Sequence, residues 1–416
     1  MSFGKGFKRL WAGNAAGNLS DGVVFVAIPL LATSLTKDAI LIAGLAAMYS
    51  AVRLLVVVPV GVYVDRFDRR RILWNINLGR AALLIALAVL FATGYGSLPL
   101  LYVAFAGVGI LETAADNAAL SILPSVVPSD KLDRANGRIS AAQLVADEFA
   151  GPPLGGFLFA LGISVPVFAA GGFYAAAGLF FLALPQPVVH RAPESVPPRR
   201  SVFREAVEGA RWLRGHHLLG GLSVVGGLAS VAYMMPFSIL VLFSQQTLSL
   251  DSAGYGVILA VSALGGLVGS FITAPVQSKL GYGRTIVGSL ILGAASMIAL
   301  SLTQVPWVAG ALLAAYILHS VVWGICVSSL RQRLVPENLR GRVNASSKIL
   351  SLIGLTVGAA LGGVLASSLS LSIPFLASGI LFICCGLIVW WLFRSERPSD
   401  LGLSKEIGVP KSPSYP

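Results

Sequence analysis

Uninterrupted apolar runs recur along the whole chain, twelve of them about 20 residues long, which is what a helix needs to cross a roughly 30 Å hydrocarbon core. They begin near Leu10, Ala39, Ile72, Leu98, Gly137, Pro166, Leu218, Tyr255, Arg284, Pro306, Val343 and Ile373. In lipid each can satisfy its backbone only as a helix, so the pattern predicts an all-α integral membrane protein. The stretch from Pro185 to Arg200 is rich in Pro and charge, cannot span, and leaves six spans on either side. Residues 1–185 are read as an N-terminal six-helix bundle, 186–216 as a linker, 217–396 as a C-terminal six-helix bundle and 397–416 as a tail. In the linker Phe203, Val207, Ala210 and Leu213 share one helical face, with Arg204, Glu205, Glu208 and Arg211 elsewhere, the pattern of a helix lying on a membrane surface.

The halves repeat each other. At a constant offset of 208, Pro128 matches Pro336, Asn136 matches Asn344 and Gly155 matches Gly363. Parallel repeats of this kind suit a transporter whose halves rock about a central site.

Composition agrees, with 56% hydrophobic and 12% charged residues, where a soluble domain carries about 25% charge. The net charge of +12 would suit nucleic acid if it were clustered on a soluble face, but the cations follow the spans. Lys5, Lys8, Arg9, the Arg66 to Arg71 group, Lys131, Arg134, the Arg191 to Arg214 run, Lys279 and Arg331 to Arg342 fall on one side, and the opposite loops hold only Lys37. This distribution predicts cytoplasmic termini and contact with membrane lipids, and argues against a nucleic-acid partner. Asn14, Asn18 and Asp21 interrupt the first apolar run, which reads as a retained span and not a signal peptide. Cys326, Cys384 and Cys385 all lie within spans and imply no disulfide framework.

Charges inside a membrane cost about 2.5 to 3.5 kcal/mol each on insertion scales, so those present ask for a reason. The first half carries Asp21, Arg53, Arg80, Glu112, Asp116, Asp147 and Glu148 within its spans, while the second offers His319 and amides such as Gln245. Five carboxylates against two arginines leave a surplus that helix pairing alone does not require, and desolvated carboxylates are candidates for proton carriage. Asp21, Glu112 and Asp116 are the leading candidates for proton or cation binding, with Arg53 as their partner, Asp147 and Glu148 as further members, and His319 as a cavity-lining histidine.

Two motifs carry a family resemblance. After the second span stands Gly61-Val-Tyr-Val-Asp65-Arg66-Phe-Asp68-Arg69-Arg70, which resembles the G-x-x-x-D-R-x-G-R-R loop motif of the major facilitator superfamily. In the fifth stands Gly151-Pro152-Pro153-Leu154-Gly155-Gly156, similar to the G-P-x-x-G-G core of that superfamily's antiporter motif. Physically, Asp65 could face a helix N-terminus and Arg66, Arg69 and Arg70 could hold carboxylates or lipid phosphate, giving a latch. Pro152 removes a backbone donor, and Gly151, Gly155 and Gly156 allow another helix to approach closely. Gly265 and Gly269, and Gly354, Gly358 and Gly362, make the eighth and eleventh spans suitable partners for such close approach, and the resemblance implies that these helices form the interface between the halves. Asp68 in place of Gly, Asp147 one turn before Gly151, and a fourth span with Glu112-Thr-Ala-Ala-Asp116-Asn117 but no arginine depart from the family pattern.

The resemblance is nearest to the bacterial twelve-span branch of drug:proton antiporters that holds macrolide, tetracycline and siderophore exporters. It implies the major facilitator fold, two six-helix bundles related by a pseudo-two-fold axis, in a monomer of the bacterial inner membrane. It also implies that spans 1, 4, 7 and 10 surround the cavity. They would bring Asn14, Asn18, Asp21 and Phe25, Phe105, Glu112 and Asp116, Tyr233, Met234, Met235 and Phe237, and Tyr316, His319 and Trp323, a lining suited to a bulky amphipathic small molecule. Protons are the expected coupling ion, and no other cofactor is called for. The function expected is proton-coupled efflux of a drug or natural product, with export of a specific metabolite such as a siderophore, or lysolipid transport, as the alternative. No catalytic serine motif, metal-ligand cluster or nucleotide-binding loop favours a membrane enzyme, a receptor or an ATP-driven pump.

Overall fold

The computed structural model describes residues 4–128, 131–184 and 202–395, although within these the side-chain surroundings of some residues, Gly61, Asp65 and Arg66 among them, are outside the description. No strand occurs among the described residues. The first half runs α1 (Lys5–Leu35), α2 (Ala39–Arg66), α3 (Arg69–Ala92), α4 (Leu98–Val126), a fifth span made of α5 (Leu132–Gln143), a π-helical turn (Leu144–Ala150) and α6 (Gly151–Leu161), and then α7 (Val165–Leu182). The linker helix α8 (Val202–Gly215) leads into the second half: α9 (His217–Phe237), α10 (Leu240–Gln246), α11 (Ser252–Leu302), α12 (Pro306–Leu334), α13 (Glu337–Ser368) and α14 (Ile373–Ser395). Among the described residues, eleven helical stretches are long and apolar enough to cross a membrane. The 51-residue α11 holds two of the twelve predicted spans, divided at Gly281, whose φ of +76° is the left-handed conformation that glycine adopts without steric cost.

Local chemistry explains the boundaries. Asp38, Asp68 and Asp251 cap α2, α3 and α11 by accepting backbone N–H groups of the first turn. The departure of Asp68 from the loop motif thus has a structural use: its carboxylate accepts from the Arg70 N–H at 2.8 Å. The π-turn follows from Pro152 and Pro153, which have no N–H to return to the carbonyls of Glu148 and Phe149, so the ladder widens and Gly151 donates to Ala146, five residues back.

The repeat is visible in the helix ends. Adding 208 to the bounds of α4 gives both bounds of α12, and adding it to the start of α7 gives the start of α14.

The halves meet at the end of the molecule remote from the termini. A Cβ on Gly363 of α13 would lie 2.8 Å from the Ala43 Cβ and 3.1 Å from the Ala39 carbonyl oxygen on α2. One on Gly156 would run into the Ser252 carbonyl of α11, and one on Gly256 would lie 3.1 Å from the Pro153 Cα. Gln245 donates to the Thr33 hydroxyl at 3.2 Å across the same seam. By contrast, Gly265 and Gly269 pack on α12, and Gly354, Gly358 and Gly362 on α9, all within the second half. The sequence expectation that these five join the halves is therefore corrected. Gly156, Gly256 and Gly363 do so, because they stand at the far ends of the spans, where the halves converge.

Candidate functional site

Every span of the first half contributes to one polar cluster at mid-depth. Arg53 on α2 donates from Nη1 to Glu112 Oε1 and from Nη2 to Asp116 Oδ2, both at 3.0 Å, spanning the i and i+4 carboxylates of α4. Tyr49, one turn before Arg53, donates to Glu112 Oε2 and stacks on Phe105, ring centres 4.5 Å apart. Arg80 on α3 is buried, its Nη1 3.7 Å from Asp21 Oδ1 and its Nη2 3.9 Å from Glu112 Oε2. Tyr174 on α7 donates to Asp21 and offers its ring to Arg80 at 4.9 Å. Asp147, on the π-turn, makes no hydrogen bond or ion pair among the described residues.

This arrangement corrects one pairing. Arg53 serves Glu112 and Asp116, whereas the cation beside Asp21 is Arg80, because α1 and α3 both pack on α7, which brings their side chains together there. Sequence reasoning noted Arg80 but did not place it in the site, and it missed both tyrosines. The i, i+4 spacing of Tyr49 and Arg53 could have flagged the first; nothing in the sequence marks Tyr174 among ten tyrosines.

The cluster opens into a cavity of about 300 Å³ between the halves, lined by Asp21, Phe25, Tyr49, Arg53, Phe105, Glu112 and Asp147 from the first half and by Met234, Phe237, Ser238 and Tyr255 from the second. Asp116 and Glu148 do not line it; both are exposed. Tyr233 and Trp323 line a separate cavity within the second half. Asn14 and Asn18 do not line the central cavity; their amides donate to the Leu10 and Asn14 carbonyls of their own helix. His319 does not line it either. It is 2% exposed, packed between Tyr316 and Phe382, and its Nδ1 lacks a hydrogen-bond partner among the described residues.

The glycine motif serves this site by packing. A Cβ on Gly151 would lie 2.6 Å from the Gly22 Cα, and one on Gly155 2.9 Å from the Val23 carbonyl oxygen, so the fifth span lies directly on α1 beside Asp21. Of the latch residues, Gly61, Asp65 and Arg66 lie near the end of α2, their surroundings outside the described structure. Arg69 and Arg70 open α3, and the Arg70 guanidinium donates to the Leu182 carbonyl within the same half.

A family model for the Major Facilitator Superfamily matches residues 10–347 and, overlapping, 222–414. The chain belongs to the major facilitator superfamily. It is a multi-pass membrane transporter and not an enzyme. The transporter is 24% identical over 406 residues to an enterobactin exporter of Salmonella typhimurium, covering 95% of this chain and 96% of that one. A second enterobactin exporter, from Escherichia coli O1:K1, is 24% identical over 385 residues, covering 92% and 90%. Among solved structures, a point mutant of the nucleoside transporter NupG superposes with a TM-score of 0.75 at 11% identity, covering 93% of this chain and 99% of that one. An inward-facing, occupied bacterial homolog of the lysosomal transporter Spinster gives 0.73 at 15%, covering 94% and 96%. At these identities the structures establish the fold of this facilitator and leave its cargo to its own residues.

Proposed function

We propose that the protein is a proton-coupled exporter of a bulky amphipathic compound, working by alternating access in a bacterial inner membrane with its termini in the cytoplasm. The observation that carries this reading is the cavity between the halves, where carboxylates outnumber guanidinium groups beside an aromatic and methionine wall. Carboxylates there that lack a cation have to bind a proton or a cationic group to become tolerable away from water. A bound cargo would compete for Arg53 or Arg80 and so change which carboxylate is left without a partner. The far-end seam leaves the site facing the terminal side, the side from which an exporter loads.

A second reading, export of a specific metabolite such as a siderophore, is favoured by the likeness to enterobactin exporters over nearly the whole chain. It shares the scaffold and differs only in cargo breadth. The test is reconstitution in liposomes enclosing a pH-sensitive dye, with an imposed proton gradient and cationic, anionic and zwitterionic amphiphiles added in turn. Cargo-dependent proton flux that disappears in Asp21→Asn is the expected result. Cargo movement that ignores the gradient would overturn the coupling.

A further inference from the structure

The second half encloses a cavity of its own, about 510 Å³, between α9, α12, α13 and α14. Tyr233, Tyr316 and Phe382 form an aromatic floor, and Arg331, Asn344 and Lys348 stand around the mouth. Serine hydroxyls from α9, α12 and α13 line the walls, and no carboxylate does.

The internal repeat explains why this space is open. At the offset of 208, Asp21 corresponds to Ala229, Glu112 to Ser320, Asp116 to Gly324, Asp147 to Leu355 and Tyr174 to Phe382. All five counterparts line this cavity. It is the position of the acidic cluster carried into the other half, with the carboxylates replaced by smaller or apolar groups and the counter-charge reversed. No residue of α11, the counterpart of α2 and α3, lines the cavity, so its cations come from elsewhere, on α12 and α13. Arg331 spends one Nη1 contact on Asn344 Oδ1, at 3.2 Å, and Lys348 makes no hydrogen bond or salt bridge among the described residues. The floor also joins the central cavity, since Tyr233 stacks on Phe237, ring centres 4.5 Å apart, and Phe237 lines that cavity.

We propose that this C-terminal cavity is a second cargo subsite, which takes an anionic group carried on an aromatic ring: the ring against Tyr233 and Phe382, the anion on Lys348, Arg331 and the serine hydroxyls. The inference rests on the export reading and adds a polarity to it. The cargo's cationic or protonatable end faces the first half and its anionic end faces the second. Cation and hydroxyl donors together match a sulfonate, carboxylate, phenolate or phosphate, whereas the central cavity would repel each of these from three carboxylates.

The test uses the full-length protein in phosphatidylcholine nanodiscs at one pH with no gradient, so that coupling plays no part. Calorimetric titration compares 2-naphthalenesulfonate with (2-naphthylmethyl)trimethylammonium. In Lys348→Gln, sulfonate binding weakens about tenfold, the scale of one lost charge-assisted hydrogen bond, and ammonium binding is unchanged. In Ser320→Asp, which restores the carboxylate of the other half, sulfonate binding is weaker still and ammonium binding improves. Equal sulfonate affinity in the wild type and both variants, or an equal loss for both probes, overturns the subsite. So does competition by phosphatidylglycerol added to the disc, which would give the cavity to a lipid headgroup. Sulfonate binding lost in Lys348→Gln without any proton flux in liposomes would leave the subsite standing and remove the coupling; the converse would do the opposite.

Discussion

Helices α4 and α12 occupy matching stretches of the two halves, bound for bound, yet α4 presents Glu112 and Asp116 where α12 presents Ser320 and Gly324. The same contrast runs through the neighbouring spans. The first half has filled its interior with a network in which two arginines and two tyrosines hold carboxylates, and the second has left a serine-lined space over an aromatic floor. Between α4 and α12, whose bounds match, the difference lies in side-chain chemistry; the fifth span adds a backbone difference, a π-turn that its counterpart α13 lacks. On the proposed reading, one half changes protonation and the other holds a polar group of fixed charge. A transporter with the burden divided in this way can move a proton site without disturbing cargo contacts, provided that the shared wall of Tyr233 and Phe237 couples them.

The largest effect on this contrast is expected at Glu112, which accepts from Arg53 and Tyr49 and stands 3.9 Å from Arg80. Glu112→Ala leaves the part-buried Arg53 and the buried Arg80 each short of a partner, a loss of about 3 kcal/mol for a buried pair broken on one side. Thermal unfolding in detergent reads the stability and the liposome dye reads the coupling; both should fall. Ser320→Ala, the matching change in the second half, should leave the unfolding temperature within error, and an equal loss of stability there would end the claim that the halves differ in kind.

Next is the seam. Gly156→Val places a branched side chain where even a Cβ meets the Ser252 carbonyl, an overpacking cost of about 1 to 3 kcal/mol that separation of the far ends relieves. A cysteine introduced at Thr33 should become more reactive toward a membrane-impermeant maleimide, and unchanged labelling would show that the seam is looser than the packing implies.

Pro152→Ala probes a subtler device. Restoring the N–H lets Glu148 regain a helical donor, so the π-turn can tighten and turn Asp147 away from the cavity. Coupled flux should drop several-fold with little change in unfolding temperature. A loss of stability with flux preserved would make the π-turn an accident of packing.

Much of this was legible in the sequence for identifiable reasons. Twelve apolar runs and the repeat are set by lengths and spacings that the bilayer imposes, so they survive without knowledge of which helix touches which, whereas the linker from Pro185 to Arg200 lies outside the described residues. Partnership is another matter. Arg53 and Arg80 are equally central along their own spans, and only the packing of α1 and α3 on the shared helix α7 decides that Asp21 sits beside Arg80. The glycines of α11 and α13 misled for the same reason: a small-residue stripe announces close packing and is silent on the partner. His319, polar and central in its span, looked like a cavity residue because a linear pattern cannot show that Tyr316 and Phe382 enclose it.

The smallest effect concerns the element between the halves. Glu208 of α8 meets Arg342 of α13 at 3.1 Å, with side chains 24% and 32% exposed. A pair so open to solvent contributes less than about 1 kcal/mol, and less at high salt. The stronger tie is steric, since a Cβ on Gly209 would overlap the Arg342 carbonyl. Arg342→Ala should therefore leave flux and stability nearly unchanged, whereas Gly209→Leu should lift α8 and slow transport without altering the naphthalenesulfonate affinity of the second half. If removal of the charge outweighed the steric change, α8 would be an electrostatic element of the cycle, and the division of labour between the two bundles would have to include it.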